Sequence, residues 1–358
     1  MLRPESAERD LHEFELRKSL IAPLIAATGF QTAEVGGEIS RSITLAERLG
    51  PKVSLVTTLA LKWMWHGPGG DLRQRSELSY RMREAAVGAS DVERLWAHRF
   101  LGTSQVFAGH FKAAMAEYQA FVALYDEQKH ANELAYVGPS NHHLMVVVGM
   151  AEVFTLFKQT EQAQATRDHC LAVANADGRL HNRCQALVFG CCLTAAVARD
   201  SRALKGYAKD LYELTHGDDM WPVWRGHAEL FYGLSLVGDG DADKGFELAD
   251  KGVTQMQGAG AYNNVWYILH ADACCTAGRV AQAQSSLELA EPWRANGLAW
   301  FDAEFLRVRG RLRLLRGEGK AAARADYEAA LRLAQEQESP LFIERAEEAL
   351  AALTELLV

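Results

Sequence analysis

The sequence predicts an all-α protein, a right-handed superhelical solenoid of about eight stacked helix pairs that spans residues 1–358 as one domain. Three observations predict it. Hydrophobic residues make up 49% of the chain while Pro numbers only 8, a balance that suits long helices. A small residue with a companion at a fixed spacing of four positions recurs at a period near forty residues. No stretch keeps the period-two alternation of a half-buried strand.

The clearest unit runs from Leu101-Gly102 through Gly109, Phe111 and Ala114 to Tyr118. A small residue on the second helix lets the first approach closely, and the aromatic one turn later fills the adjacent gap. With Ala114 as marker, the phase recurs at Ala163, Ala203, Gly245, Ala283 and Ala323. Their companions are Arg167, Tyr207, Ala249, Leu287 and Tyr327, and weaker equivalents fall near Gly37 and Arg75. Successive steps are 38, 39, 49, 40, 42, 38 and 40 residues, so one unit carries an irregular insertion, near 128–142. The pattern resembles the tetratricopeptide repeat, stretched beyond its usual length of roughly 34 residues.

Turn signals divide the chain into about seventeen helices. They include Gly50-Pro51, His66-Gly67-Pro68-Gly69-Gly70, Gly238-Asp239-Gly240 and Gly317-Glu318-Gly319. Asp91 and Ser339-Pro340 read as helix starts.

The formal charge of −8 argues against a nucleic-acid partner, which needs clustered Lys and Arg. The cysteines Cys170, Cys184, Cys191, Cys192, Cys274 and Cys275 form no Cys-x-x-Cys pair and read as buried thiols in helix contacts. The first residues lack an apolar signal core. The longest uncharged run, Cys184 to Ala198, is shorter than the roughly 18–20 residues of a membrane span. A cytoplasmic location without membrane attachment is the expectation.

Several phrases go beyond generic repeats. In order they are Glu5-Ser6-Ala7-Glu8-Arg9-Asp10 with Glu13-Phe14-Glu15-Leu16, Ala27-Thr28-Gly29-Phe30 with Ala33-Glu34-Val35, Tyr125-Asp126 with Lys129-His130, and Trp300-Phe301-Asp302-Ala303-Glu304-Phe305-Leu306-Arg307-Val308-Arg309-Gly310. Nearly the whole chain thus resembles the C-terminal helical-repeat region of bacterial class III adenylate or guanylate cyclase and AAA-type ATPase signalling proteins. The segment Tyr136-Val137-Gly138-Pro139-Ser140-Asn141 departs from the Asp-Pro-Gly-like turn of that group. A P-loop is absent, since Gly317-Glu318-Gly319-Lys320-Ala321 has the wrong spacing. The resemblance implies a regulatory part separated from its catalytic module.

Other constellations yield to plainer readings. Asp239-Gly240-Asp241-Ala242-Asp243-Lys244-Gly245 imitates a calcium loop, but Lys244 stands where the Gly belongs and Asp250 where the bidentate Glu belongs. It reads as an acidic turn before a helix. His142-His143, His181 near Cys184, His227 and His270 lack a second ligand pair, and read as packing or surface histidines. Gly67-Pro68-Gly69-Gly70 sits where an inter-helix turn is already needed. No cofactor, metal or catalytic residue is expected.

The first helices of such pairs line a concave groove. Of Trp63, Trp65, Trp96, Trp221, Trp224, Trp266 and Trp300, most are expected to pack between repeats. The candidates for a groove-binding strip are Trp65, Trp96, Asn141, His142, Trp224, Tyr262, Asn264, Trp266 and Arg307. The functional expectation is a non-catalytic regulatory scaffold for a protein or peptide partner, such as an ATPase or cyclase module of the same parent. The alternatives are a small-molecule or peptide sensor and, more remotely, an enzyme with an unrecognised site. The open end of the solenoid, the Met1 to Gly29 region, is the expected contact for any oligomer, and the first helices around Leu11 to Ile25 are expected to be the weakest part.

Overall fold

The computed structural model describes residues 6–28, 32–67, 71–134, 140–217, 222–257 and 263–355, which contain helices and no strand. In chain order the helices are α1 (Ala7–Thr28), α2 (Ala33–Leu49), α3 (Leu55–Trp65), α4 (Leu72–Ala85), α5 (Asp91–Phe107), α6 (Phe111–Leu124), α7 (Glu127–Leu134), α8 (His142–Leu156) and α9 (Thr160–Asp177). Leu180–Gln185, Ala186–Leu193 and Thr194–Ala198 run on as one helix, α10, whose middle part is π-helical. Then follow α11 (Ser201–Leu214), α12 (Pro222–Gly238), α13 (Ala242–Met256), α14 (Asn263–Thr276), α15 (Val280–Ala295), α16 (Asp302–Leu315), α17 (Lys320–Glu336) and α18 (Pro340–Glu355).

Eight antiparallel pairs stack in sequence, α7 falls in the long step of the repeat, and α18 covers the last pair. Caps start the helices where short polar side chains stand. Ser54, Asp71, Asn141 and Asp200 accept from backbone N–H groups of the first turn, and Ser90 forms a capping box with Glu93. Ser90, rather than Asp91, is thus the cap of α5. The calcium-loop imitation is a turn, with Gly240 at φ 95° and α13 starting at Ala242. Residues 68–70 of the Gly-Pro-Gly-Gly stretch lie outside the described residues.

The repeat chemistry is visible as contacts. A Cβ added at Gly102 on α5 would lie 2.5 Å from the Tyr118 ring, and one at Gly149 on α8 would lie 2.4 Å from it. Gly310 and Tyr327 repeat this arrangement near the C-terminal end. Between the first two pairs the close approach belongs to Gly36 on α2, which faces the Trp65 ring of α3, while the marker position Gly37 is exposed with nothing near it. The α12–α13 pair goes furthest. Gly226 and Gly233 on one helix meet Gly252 and Gly245 on the other, and the two backbones touch.

One continuous apolar core runs from Ile21 to Phe342, and all six cysteines are buried in the protein. The solenoid also closes on itself. The N–H groups of Ala299 and Trp300 donate to the carbonyl of Phe107 at 2.9 and 3.2 Å. Gln337 donates to Ala299 O at 2.9 Å, and Ser339 Oγ to Leu156 O at 3.3 Å. The start of α18 and the segment before α16 therefore cover the turns that end α5 and α8, and Arg345 on α18 reaches the end of α10 at the Val197 carbonyl.

Three non-glycine residues hold positive φ among the described residues: Lys158 at 56°, Arg199 at 57° and Glu338 at 52°. Glycines Gly109, Gly240, Gly278 and Gly317 hold equivalent turns in other pairs. Each exception sends a charged side chain to a distant partner: Lys158 to Glu344 at 2.6 Å, Glu338 to Lys112, and Arg199 to Asp272 at 3.7 Å. The left-handed conformation costs an L-residue roughly 1–2 kcal/mol. Here that strain coincides with the seam.

Candidate functional site

A cavity of about 450 Å³ opens at this seam. Its walls come from the end of α10, the start of α11, and from α12, α14, α16 and α18. Leu204, Leu234, Val237, Ile268 and Phe301 form the apolar part. Asp272, Glu304, Arg199 and Arg345 form the charged part. The π-helical turns of α10 help to place this wall. They add residues relative to regular α winding, and so reset the face presented after Leu193. Thr194 Oγ1 donates to Gly190 O and receives Arg167 Nε at 2.9 Å, which fixes the re-registered segment against α9.

The charged side is a network. Arg307 Nε donates to Glu304 at 2.8 Å and Arg345 Nη1 to the same carboxylate at 2.7 Å. Arg307 also pairs with Asp272 at 2.9 Å, and Arg345 donates to the carbonyl of Val197. Burial alone would raise the Glu304 carboxyl, but Arg307 and Arg345 outweigh it and hold its pKa at about 2. Burial also acts against the Arg307 charge, which Glu304 and Asp272 more than restore.

A second cavity of about 400 Å³ lies among α7, α8 and α9. Its rim is a stack in which the His143 ring sits 4.4 Å from Tyr125 and 5.7 Å from His169. Tyr125 and His143 are half-buried and His169 is exposed. Burial, helped by His169, lowers the His143 pKa to about 4, so this ring is neutral at physiological pH. Opposite it, Asn141 Nδ2 donates to Asp177, and Arg179 holds that carboxyl below its ordinary range.

The groove candidates divide between these places. Asn141 and His142 line the second cavity, Asn141 also capping α8 and His142 packing against Trp96 and Phe100. Arg307 belongs to the ion network behind the first cavity. Trp65 is half-buried, donates to Thr32 O at 3.0 Å and lies beneath the Lys62 ammonium. Trp96, Trp224, Trp266 and Asn264 are 3%, 7%, 1% and 0% exposed, so they do not form an open strip. Their bulk is spent on packing between pairs; Trp266, for example, lies edge-on to His227 at 4.9 Å. Tyr262, like Trp221, lies outside the described residues.

The remaining histidines are held internally. His227 donates from Nδ1 to Val223 O, and His270 lies 2.9 Å from Asp250 and 2.8 Å from Ser286. His181 rests on Ser140 and Trp224. No group of three metal-type side chains occurs among the described residues.

Sequence reasoning missed Arg199, Asp272, Glu304 and Arg345 as a cluster. The available signal was Arg199-Asp200 standing at a turn where other pairs have glycine.

No family model and no curated protein matches the chain. Solved structures do. A Rap protein complexed with competence and sporulation factor aligns over 98% of this chain and 99% of its own at 12% identity, with a TM-score of 0.56. A tetratricopeptide repeat protein from Parabacteroides merdae aligns over 96% and 99% at 13% identity, with a TM-score of 0.41. The first match establishes the fold, a tetratricopeptide-like solenoid of helix pairs. Among the described residues no helix is long and apolar enough to cross a membrane.

Proposed function

We propose that this chain is a non-catalytic regulatory scaffold that binds a protein or peptide partner, with the second cavity as the centre of the contact. The observation that carries this reading is the half-exposed stack of Tyr125, His143 and His169 beside the amide of Asn132 and the fixed Asn141–Asp177–Arg179 cluster. Aromatic rings with one polar edge, set beside satisfied polar groups on rigid helices, are what protein contacts concentrate their energy on. The neighbour solved with competence and sporulation factor supports a binding role for a solenoid of this shape.

The resemblance of the sequence to repeat regions behind cyclase and ATPase modules makes such a module the partner class we assign, within a bacterial signalling system. Leu16 and Leu20, 59% and 48% exposed and four residues apart on α1, would serve a second copy of the chain.

The test uses the full chain with a photo-cross-linking residue at Asn132. The captured protein is identified, purified and titrated calorimetrically. Tyr125→Ala should weaken its binding at least tenfold, while Val87→Ala, 84% exposed on a distant turn, should leave it unchanged. Equal affinity for Tyr125→Ala and the wild type would refute the placement.

A further inference from the structure

Beside the first cavity, four guanidinium groups share two carboxylates. Arg307 and Arg345 share Glu304 at 2.8 and 2.7 Å. Arg307, Arg199 and Arg311 lie 2.9, 3.7 and 3.8 Å from Asp272. With both acids ionised, the cluster holds two more positive charges than negative ones. The other carboxylate on the wall, Asp200, is engaged by Arg167 at 3.4 Å and caps the N–H of Ala203 at 3.1 Å.

Arg199 registers this surplus. Burial, together with repulsion from Arg345 and Arg307, outweighs the pull of Asp272 and Glu304 and lowers its pKa. Glu304, Arg307 and Arg345 are buried against apolar walls, while the Arg199 and Arg311 side chains are 52% and 37% exposed at the rim, so an anion seated between Arg199 and Arg345 is screened less than in open water. Arg199 is also held there at a cost, in the left-handed conformation that Gly240 and Gly278 take at the matching turns.

We infer that the first cavity binds a small amphipathic anion, a single carboxylate on an apolar aliphatic or aromatic body. Arg199 at the mouth takes the carboxylate, with Arg345 behind it, and Leu234, Ile268 and Phe301 take the body. A volume of about 450 Å³ suits such a molecule, since ligand pockets run from roughly 300 to 1,000 Å³. Because the walls come from α10, α14, α16 and α18, an occupant adds contacts across the seam and stabilises the folded protein. This site is separate from the α7–α9 contact, so it stands or falls whether or not a protein partner is found.

The experiment is calorimetry and thermal melting of the full chain with octanoate and octyltrimethylammonium below their micellar concentrations and octanol below its solubility limit. Octanoate should bind one to one and raise the melting temperature, octanol should bind at least tenfold more weakly, and the cation should not bind. Raising the salt should weaken octanoate alone. Arg199→Gly should weaken octanoate about tenfold without lowering the stability of the unliganded protein, because glycine accepts the turn. Arg199→Lys should keep most of the affinity. Leu234→Trp, checked for retained helicity and cooperative melting, should block binding by filling the cavity. Equal binding of octanoate and octanol, or octanoate binding unchanged by both Arg199→Gly and Leu234→Trp, would overturn the assignment.

Discussion

The phenol ring of Tyr118 lies so close to Gly149 that a Cβ on that glycine would stand 2.4 Å from it. Tyr118 is 1% exposed and Gly102 closes its other side, so the ring has nowhere to go. Gly149→Ala should therefore destabilise the protein by about 1–3 kcal/mol despite the helix propensity it gains. Gly233→Ala should cost more, because its Cβ would meet the Gly245 carbonyl at 2.4 Å, and backbone yields less readily than a side chain. Chemical denaturation of both variants checks the order. A smaller cost for Gly233→Ala would contradict the backbone contact in the α12–α13 pair.

Two other helical glycines predict the opposite sign. Gly37 in α2 and Gly206 in α11 have nothing within 4 Å of an added Cβ, and both are exposed. Alanine there gains helix propensity and narrows the unfolded ensemble without a clash, so each substitution should stabilise by about 0.5–1 kcal/mol. Destabilisation by Gly37→Ala would mean that this face of α2 is covered.

The same four-residue spacing thus carries unequal information. Tyr118, Gly102 and Ala114 were legible in the sequence because their contact is local and repeated. The seam was not, because Ser339 reaches Leu156 across 183 residues and no short pattern encodes that pairing. The first cavity was hidden for a related reason: Arg199, Asp272, Glu304 and Arg345 sit on four separate elements, and a π-helical segment shifts the register of one of them. Arg307 was singled out as a groove residue, yet it lies 6% exposed beside Glu304. The tryptophans were informative about packing, since rings of that size are what fills the space between pairs.

Lys158 separates two small effects. Lys158→Gly relieves the left-handed strain of roughly 1–2 kcal/mol and loses an ion pair with Glu344. Both partners are about 45% exposed, and exposed pairs contribute roughly 0–1 kcal/mol. The variant should be as stable as the wild type or slightly more so. A loss above about 1 kcal/mol would show that the seam depends on this pair more than a surface salt bridge allows.

Glu152 is fully buried, its Oε1 has no hydrogen-bond partner, and burial raises its pKa to about 8. An unfolded glutamate titrates near 4.5, so between 4.5 and about 8 the folded state holds a proton that the unfolded state has released. This contribution to stability is complete below 4.5 and is lost as the pH rises to about 8. Glu152→Gln should remove that slope and be more stable than the wild type at pH 8. Denaturation midpoints from pH 5 to 8 measure it; parallel profiles for the two proteins would place the ionised carboxylate in a satisfied site.

Glu304 has the opposite sign. Its folded pKa of about 2 lies below the unfolded value near 4.5, so its contribution is complete above 4.5 and is lost as the pH falls towards 2. Arg345 is one of the two cations that hold it there, 5% exposed and bonded at 2.7 Å. Arg345→Met keeps the volume but withdraws a charge from a buried pair, a change that typically costs about 3–5 kcal/mol. Arg307 remains on the same carboxylate at 2.8 Å, so the loss should fall at or below the lower end of that range. It should also raise the Glu304 pKa and move the onset of acid unfolding to higher pH. The Glu304→Gln, Arg345→Met double variant should recover part of the loss, because it removes the stranded carboxylate together with its partner. No recovery in the double variant would mean that Arg345 stabilises the fold through its bond to Val197 O rather than through Glu304.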